Sequence, residues 1–221
     1  RIKKRLENIK LRTENALIPD QNIYNELQIQ EKQVSMLAKY VYDHTGCPVY
    51  RNTEVTYFNC GEEKYRALVE QLEEAREYIF MEYFIIQEGR VWDSILRILE
   101  KKVQQGVEVR VMYDGLCSLS KLPIGYFKKL RKKGIKSKPF ARVVPFFTTE
   151  QNNRDHRKIL VIDGKVAFTG GINLADEYMN VVEKFGYWKD TAVMLRGDAA
   201  KSYTLMFLQM WNVSEKTIGN F

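Results

Sequence analysis

Residues 154–173 constrain the fold of this chain more than any other stretch, and they read RDHRKILVIDGKVAFTGGIN. Within them, residues 159–162 form an unbroken apolar run, which is typical of a strand covered on both faces. The dipeptide Asp163-Gly164 that follows is a strong signal for a two-residue hairpin turn. Residues 166–169 fit the returning strand. The stretch therefore predicts a β-hairpin inside a buried sheet.

Two polar side chains precede the apolar run and indicate chemistry at its start. His156 and Lys158 are two residues apart, so on an extended backbone both side chains lie on the same face. Gly170 and Gly171 follow the returning strand and let a ligand come close to the backbone. An imidazole beside an ammonium, near such glycines, suits a phosphate ester. A lone histidine is more often structural, but the lysine and the glycines favour a catalytic role for His156.

The same stretch resembles the phospholipase D superfamily. The H-x-K-x4-D signature of that superfamily and its trailing G-G-x-N are met by His156, Lys158, Asp163, Gly170, Gly171 and Asn173. The wider pattern RDHRKILVIDG…GGINLADEY…WKD is similar to the N-terminal half of bacterial cardiolipin synthases. The similarity runs from about residue 49 to the C-terminus. It implies an α/β fold in which a mixed β-sheet is flanked by helices.

The resemblance also implies a mechanism that uses neither a metal ion nor another cofactor. His156 would attack phosphorus and form a covalent phospho-histidine. Lys158 would neutralise the non-bridging oxygens as charge develops, an effect typically worth roughly 3–4 kcal/mol of barrier. The implied reaction is phosphatidyl transfer. One phosphatidylglycerol forms the adduct and releases glycerol, and the hydroxyl of a second one takes up the phosphatidyl group to give cardiolipin.

Two aspartates are candidates for the acidic part of the site. Asp163 completes the signature, yet strand parity places it on the face opposite His156 and Lys158, and aspartate is favoured in turns. We therefore expect Asp163 to support the site by holding the turn or the lysine, without touching substrate. Asp190 matches the segment that backs the nucleophile in phospholipase D enzymes, so we expect it to orient His156. The alternative for Asp190 is a surface charge on an edge strand.

Gly170, Gly171 and Asn173 are predicted to bind phosphate through backbone N–H groups and the amide side chain at a helix start. Asn173 is equally suited to capping a helix at residues 174–179, and both roles can hold at once. Glu82 lies inside the apolar segment 78–86, where a charge needs a partner. We expect it to pair with a buried cation, with lining the site as the alternative.

The sequence contains one copy of the signature. It has two histidines, His44 and His156, and His44 lacks a lysine two residues on. In phospholipase D enzymes two motifs meet, and the second histidine protonates the leaving group. We expect the second motif either from a C-terminal half outside this sequence or from a second copy of the chain. The resemblance favours the former, and with it a chain that is part of a longer protein.

The net charge of +7 favours anionic partners, either lipid headgroups or nucleic acid. The resemblance favours phosphatidylglycerol and a membrane surface over nucleic acid. Cys47, Cys60 and Cys117 are odd in number and lack CxxC spacing, which argues against a metal site and a disulfide framework. Reduced thiols in the cytoplasm are the simplest interpretation.

A membrane location is expected from the resemblance. The sequence has no apolar run near the ~20 residues that span a bilayer. Related synthases carry hydrophobic N-terminal anchors, so we expect an anchor upstream of Arg1 and a location at the cytoplasmic face of the cell membrane. The basic residues 1–12 fit a juxtamembrane flank or an ordinary solvated helix. The basic helix predicted at 124–133 likewise fits a membrane surface or solvent.

The chain divides into a mostly helical extension, residues 1–48, broken at Pro19-Asp20, and a phospholipase D-like domain, residues 49–221. In the second part, helical patterns of about a dozen residues separate apolar strands, which predicts an α/β layer fold. The predicted strands are 52–59, 78–86, 107–113, 159–162, 166–169 and 187–196, with an extended segment over 134–144. The predicted helices are 62–77, 91–105, 124–133, 174–179 and 199–211.

Two other functions are compatible with a single motif. A homodimeric phosphodiesterase would use the basic surface to contact the phosphates of a nucleic acid. A non-catalytic lipid-binding half would be inert because it lacks the acid. The leading hypothesis is the N-terminal catalytic half of a membrane-associated phosphatidyltransferase.

Overall fold

A computed structural model describes residues 2–116, 120–140 and 154–215 of the chain. Within these ranges the backbone forms a seven-stranded mixed sheet with helices on both faces. The strands are β1 (Thr53–Phe58), β2 (Tyr78–Tyr83), β3 (Glu108–Asp114), β4 (Lys136–Phe140), β5 (Lys158–Ile162), β6 (Val166–Gly170) and β7 (Ala192–Gly197). The helices are α1 (Ile2–Arg12), α2 (Gln21–Gln30), α3 (Lys32–Thr45), α4 (Gly61–Glu74), α5 (Arg90–Gln104), α6 (Tyr126–Lys132) and α7 (Ala200–Val213), with a 3-10 helix at Asp176–Met179.

The strand order is β1-β7-β6-β5-β2-β3-β4. Strands β2, β3 and β4 are parallel, and β5 pairs antiparallel with both β2 and β6. The end of β2, the end of β3 and the start of β5 therefore lie at one edge of the sheet. The predicted α/β fold with a mixed sheet between helices is confirmed.

Each face of the sheet is covered by its own helices. Helices α4, α5 and α6 cover one face, where Leu160 of β5 packs among buried side chains such as Leu68 and Trp92. Helices α1 and α7 cover the other face, where Ile159 and Phe207 are buried. Successive residues of β5 thus enter opposite cores, which explains why its apolar run is unbroken.

The N-terminal residues form the three helices α1, α2 and α3. Helix α1 packs against α7 and buries Ile9 there. Helices α2 and α3 pack against each other, and α3 leaves Leu37 and Tyr40 more than half exposed. Asp20 caps α2, because its side chain accepts a hydrogen bond from the backbone N–H of Asn22 at 2.9 Å. None of the helices in the described ranges combines the length and the apolar content that a bilayer crossing requires.

Several element boundaries differ from the sequence prediction. Helix α4 and strand β2 end three residues earlier than predicted, and β7 begins at Ala192, five residues later than predicted. The helix predicted at 174–179 is wrong in type and length, since the structure has the four-residue 3-10 helix there. In the predicted extended segment, residues 136–140 form β4, and residues 141–144 lie outside the described ranges, as does Cys117. Cys47 and Cys60 are free thiols.

Gly61, the first residue of α4, marks a close approach between α4 and the 3-10 helix. A Cβ at this position would lie 2.0 Å from the carbonyl oxygen of Tyr178. That atom belongs to the backbone and cannot rotate away, so only glycine allows the two helices to approach this closely.

We expect Gly61→Ala to lower the free energy of unfolding by about 3 kcal/mol, because the two helices must separate to admit the methyl group. The control is Gly106→Ala, where an added Cβ meets no atom within 4 Å and only the positive φ of 87° is strained. This control should cost about 1 kcal/mol. Urea denaturation monitored by circular dichroism measures both values. Equal losses for the two variants would show that the contact with Tyr178 is easily relieved.

Candidate active site

His156 and Lys158 lie together at the start of β5, at the edge of the sheet where β2 and β3 end. Lys158 is buried as the first residue of the strand, and His156 precedes the strand and is exposed. The Lys158 Nζ lies 3.1 Å from Nδ1 and 3.3 Å from Nε2 of the His156 ring, and it donates to the His156 carbonyl oxygen at 2.7 Å. The structure thus brings together the imidazole and the ammonium that the i, i+2 spacing predicts on one face.

Phe84 forms an aromatic wall beside this pair, and the sequence analysis missed it. Its ring centroid lies 4.4 Å from that of His156. The Lys158 Nζ lies 5.2 Å and the Arg154 guanidinium carbon 5.5 Å from the same Phe84 ring. Cations at these distances are attracted to the face of an aromatic ring. The sequence carries no signal for this role, because β2 ends at Tyr83 and Phe84 contacts residues that are distant in the chain.

Asp163 lies at the other end of β5. Five residues separate it from Lys158, which corresponds to ~17 Å along an extended strand. Its carboxylate accepts hydrogen bonds from the backbone N–H groups of Arg76, Glu77 and Tyr78 at 2.9, 2.8 and 2.8 Å. Its φ of 53° is the left-handed conformation of a tight turn. The structure does not bring Asp163 to the histidine and lysine of its signature, and its contacts are those of a turn anchor.

Gly171 and Asp190 lie in direct contact. A Cβ on Gly171 would come 2.1 Å from Oδ1 of Asp190, so the glycine is required for the carboxylate to lie there. The Gly171 N–H donates to the carbonyl oxygen of Thr191 at 3.0 Å, which engages a group predicted to face phosphate. Gly170 has φ 149°, and a Cβ there would lie 2.5 Å from the same Thr191 oxygen. These glycines allow the chain before β7 to pack closely on the end of β6.

Asp190 lies in the loop before β7 and not on a strand, contrary to the sequence prediction. Its Oδ1 accepts the backbone N–H of Thr191 at 2.7 Å. Within the described residues no hydrogen bond joins Asp190 to His156, and the ring nitrogens of His156 contact Lys158. The predicted orienting role of Asp190 therefore remains a prediction.

Asn173 holds the loop after β6 against the segment that follows β2. Its Oδ1 accepts the backbone N–H of Ile85 at 3.0 Å, and the neighbouring Leu174 N–H donates to the Ile85 carbonyl oxygen at 3.1 Å. The 3-10 helix starts three residues later and has Ala175 at its N-cap position. The expectation that Asn173 caps a helix at 174–179 is wrong, and the predicted phosphate contact stays a prediction.

Lys64 is a buried cation next to the site that the sequence analysis did not single out. It lies in α4 and is 2% exposed. Its Nζ donates to the Ile172 carbonyl oxygen at 3.1 Å and to the Tyr83 hydroxyl at 3.4 Å. Burial lowers its pKa to about 7, and the charge of Lys158 acts in the same direction, whereas Asp190 opposes the shift. The sequence signal, a lysine on the apolar side of an amphipathic helix, is a weak one.

A buried ionic cluster lies on the opposite face of the segment that carries His156 and Lys158. Glu82 is fully buried, and its Oε1 accepts from Nε of Arg157 at 2.6 Å. The buried Asp155 lies 3.6 Å from the same nitrogen, and its backbone N–H donates to Asp114 at 3.1 Å. Asp114 in turn pairs with Arg154 at 2.9 Å. Glu82 pairs with a cation as expected, but that partner, Arg157, has a side chain that is 31% exposed and not buried.

The arrangement can present a nucleophilic nitrogen and a positive charge to an anionic centre. The imidazole of His156 is open to solvent, whereas Lys158 is buried and its ammonium donates to the His156 carbonyl oxygen. An electrostatic group that is fixed before the reaction pays little reorganisation cost when charge develops. Among the described residues no group of three or more histidine, cysteine, aspartate and glutamate side chains is arranged to hold a metal ion.

Comparison of the sequence with known proteins identifies its family. Residues 68–211 match the family model described as cardiolipin synthase, PLD-like domain. An uncharacterised protein of Streptococcus mutans is 57% identical over 197 residues, which cover 89% of this chain and 43% of that protein. A cardiolipin synthase of Geobacillus thermodenitrificans is 40% identical over 165 residues, which cover 74% of this chain and 33% of that enzyme. The chain thus spans less than half the length of these relatives.

The fold is also found among solved structures. The phospholipase D family member Nuc from Salmonella typhimurium superposes with a TM-score of 0.55 and 18% sequence identity, over 72% of this chain and 95% of that one. At this identity the similarity concerns the fold alone.

We expect Asp163→Ala to lower the free energy of unfolding by about 3 kcal/mol, because three backbone donors lose a charged acceptor. Asp163→Asn should cost only about 1 kcal/mol, since asparagine keeps one acceptor oxygen and tolerates positive φ. Urea denaturation measures both values. The His156 ring resonances, readily assigned because the chain has two histidines, should stay unchanged in Asp163→Asn. A shift in these resonances would contradict the placement of Asp163 away from the site.

Burial raises the pKa of Glu82 well above its usual 4.5, although Arg157 acts in the opposite direction. A carboxyl whose pKa is higher in the folded state favours folding below the pKa of the unfolded chain, and this contribution is lost as pH rises through the folded pKa. Wild type should therefore lose stability relative to Glu82→Gln as pH rises from about 4.5.

Glu108→Gln is the matched control with the opposite sign. Burial raises the pKa of Glu108, but the hydrogen bond from Lys136 and the charge of Arg110 outweigh burial and lower it. Wild type should gain stability relative to this variant as pH rises through the acidic range. Urea denaturation of all three proteins between about pH 2.5 and pH 8 tests both trends, since the Glu108 contribution changes below its ordinary pKa of 4.5. Parallel curves for the two variants would contradict them.

Proposed function

Because this chain belongs to the phospholipase D-like family of cardiolipin synthase domains, we propose that it forms one half of the active site of a phosphatidyltransferase. The proposed reaction converts two phosphatidylglycerol molecules into cardiolipin and glycerol. The observation that carries the proposal is the contact between the exposed His156 ring and the buried Lys158 ammonium. Relatives named cardiolipin synthase, about 40% identical over three quarters of this chain, support the choice of a lipid substrate.

His156 is proposed as the nucleophile. A ring nitrogen forms a bond to the phosphorus of phosphatidylglycerol, and the bond from phosphorus to the glycerol oxygen breaks. The exposed ring lies against Phe84, which limits its orientations without blocking its solvent-facing edge. Lys158 stabilises the negative charge that builds on the non-bridging oxygens. Asn173 and the Gly170-Gly171 turn shape the loop beside this centre and are proposed to contact the phosphate.

The proton balance requires a second acid–base group. The leaving glycerol oxygen takes up a proton, and the hydroxyl of the second phosphatidylglycerol must lose one when it attacks the phospho-histidine. His44 is on α3, where its Nδ1 contacts the Tyr40 carbonyl oxygen at 2.8 Å and its ring lies tilted against the Tyr40 ring, 4.1 Å between centroids. These contacts do not suit that task. We propose that a second motif-bearing half, in the same protein or a second copy, supplies the group.

A phosphatidylglycerol substrate requires the protein to act at an anionic lipid surface. The net charge of +7 favours such a surface through long-range attraction. In the basic helix α6 and its C-cap, Lys129 and Lys133 pair with Glu88 and Glu100 at 2.6 Å, which neutralises part of the local charge. We propose attachment to the cytoplasmic face of the cell membrane.

The test uses the complete gene product with vesicles of phosphatidylglycerol. We expect cardiolipin and glycerol in equal amounts, and a phosphatidyl adduct on His156 detectable by mass spectrometry of the rapidly quenched protein. His156→Ala should lower turnover by at least about 10³-fold, since it removes the covalent route. Lys158→Ala should lower it by about 10²–10³-fold, as loss of an electrostatic stabiliser does. His44→Ala is the matched control and should leave turnover unchanged.

The same experiment distinguishes the proposed function from the two alternative functions. Cleavage of DNA by the purified chain, lost in His156→Ala, would replace the proposal with a homodimeric phosphodiesterase. Binding to the vesicles without turnover by the complete gene product would identify a non-catalytic lipid-binding protein.

A further inference from the structure

We propose that Lys64 is a positioning residue of this site, which holds the Gly171–Asn173 loop and the Asp190 carboxylate in place beside Lys158. The activity test below rests on the proposed function, whereas the binding and stability tests do not. Lys64 lies outside both sequence motifs, and its assignment comes from the contacts of its ammonium group.

The position of Lys64 is set by the close packing of α4. The contact between Gly61 and the Tyr178 carbonyl oxygen brings the first turn of α4 onto the 3-10 helix. Lys64 lies one turn further along and points inward, with 2% of its surface exposed. Lysine is almost never this buried unless its charge has partners, because desolvation of an ammonium is costly. The partners of the ammonium therefore identify the groups that it holds in place.

The hydrogen bonds of Lys64 connect the loop with the central strands. One goes to the carbonyl oxygen of Ile172, between Gly171 and Asn173. The other goes to the hydroxyl of Tyr83, which lies opposite Lys158 in the β2–β5 pairing. The ammonium also lies 5.0 Å from the centre of the Tyr83 ring. A movement of the Ile172 carbonyl would therefore cost a buried hydrogen bond, and this restrains the residues on either side of it.

The charge of Lys64 acts on the remaining members of the site. Asp190 stabilises the protonated amine, and Lys158 destabilises it. Asp190 itself lies against Gly171, so the amine, the carboxylate and the loop form one connected group. Protonated Lys64 gives the Asp190 carboxylate a buried counter-charge. Its removal would leave the carboxylate without this counter-charge, next to the loop that is proposed to contact the phosphate.

Lys64→Met and Lys64→Gln in the complete gene product test the proposal. Methionine removes the charge and the donor, and glutamine keeps a donor without the charge. We expect kcat for cardiolipin formation to fall about 30-fold in Lys64→Met and less in Lys64→Gln, with KM changed less than about threefold, as for losses of supporting residues around a site. Lys102→Met is the matched control. It replaces another buried lysine, which donates to the Ala75 carbonyl oxygen at 3.0 Å at the far end of the sheet, and kcat should not change.

The pH dependence gives a readout that packing alone would not move. Lys64 has a pKa of about 7 in the folded chain and 10.5 as its ordinary value. The groups that face it are Asp190, Lys158 and Tyr83, with His156 next to Lys158. Because protonated Lys64 supplies the counter-charge, wild-type kcat should fall as pH rises through about 7. The part of this fall that comes from Lys64 should be absent in Lys64→Met. Since the unfolded chain binds more protons between pH 7 and 10.5, wild-type stability should rise over that range relative to Lys64→Met.

A binding test separates this inference from the proposed reaction. Orthovanadate, added to the 221-residue chain, should shift the His156 ring resonances, and Lys64→Met should bind it about tenfold more weakly. If wild type makes no cardiolipin but this difference is found, the proposed function fails and the role of Lys64 stands. Equal behaviour of wild type and both Lys64 variants, including absence of binding in all of them, would overturn the proposal. Lys64→Gln decides the outcome where Lys64→Met does not fold.

Discussion

The antiparallel pairing of β5 with β2 fixes the position of the groups in the candidate site. In this register Lys158 lies opposite Tyr83 and Ile162 lies opposite Ile79, so the start of β5 meets the end of β2. Strand β3 runs parallel to β2 and ends at the same edge with Asp114. A slip by one residue would turn Lys158 to the other face of the sheet. The apolar cores on both sides of β5 prevent such a slip, because each would have to accept the side chains of the other.

The four residues from Asp155 to Lys158 form one extended segment whose two faces meet different chemical environments. His156 and Lys158 face the site, and the histidine is open to solvent. Asp155 and Arg157 face a cluster with the buried Glu82, in which the Arg157 side chain is 31% exposed. Three buried carboxyl groups, those of Glu82, Asp114 and Asp155, would be costly without the two arginines that reach them. The ionic cluster thus ties down the backbone on which the reactive pair stands, and the site gains rigidity without losing access.

The sequence predicts much of the fold and the reactive pair of the candidate site. The predictions that failed did so for physical reasons. Hydrophobic runs and the hairpin turn predict β5 and β6, since both depend on neighbours in the chain. The spacing of His156 and Lys158 predicts their contact for the same reason. Phe84 and Lys64 escaped notice because their contacts join residues that are distant in the chain. Boundaries failed where tertiary contacts end an element early: the Ile85 N–H donates to Asn173 instead of continuing β2. Asp163 is separated from the reactive pair by the length of β5, whereas strand parity predicts only the opposite face.

The three hydrogen bonds that Asp163 accepts show that one residue of the signature motif supports the fold. The aspartate ties the turn after β5 to the backbone that leads into β2, and so closes the hairpin against its neighbouring strand. A sequence that kept the histidine and lysine but lost this residue would retain the reactive groups on a strand with a loosened far end. Matching the complete motif therefore tests whether the supporting hairpin can be built as well as whether the chemistry is present.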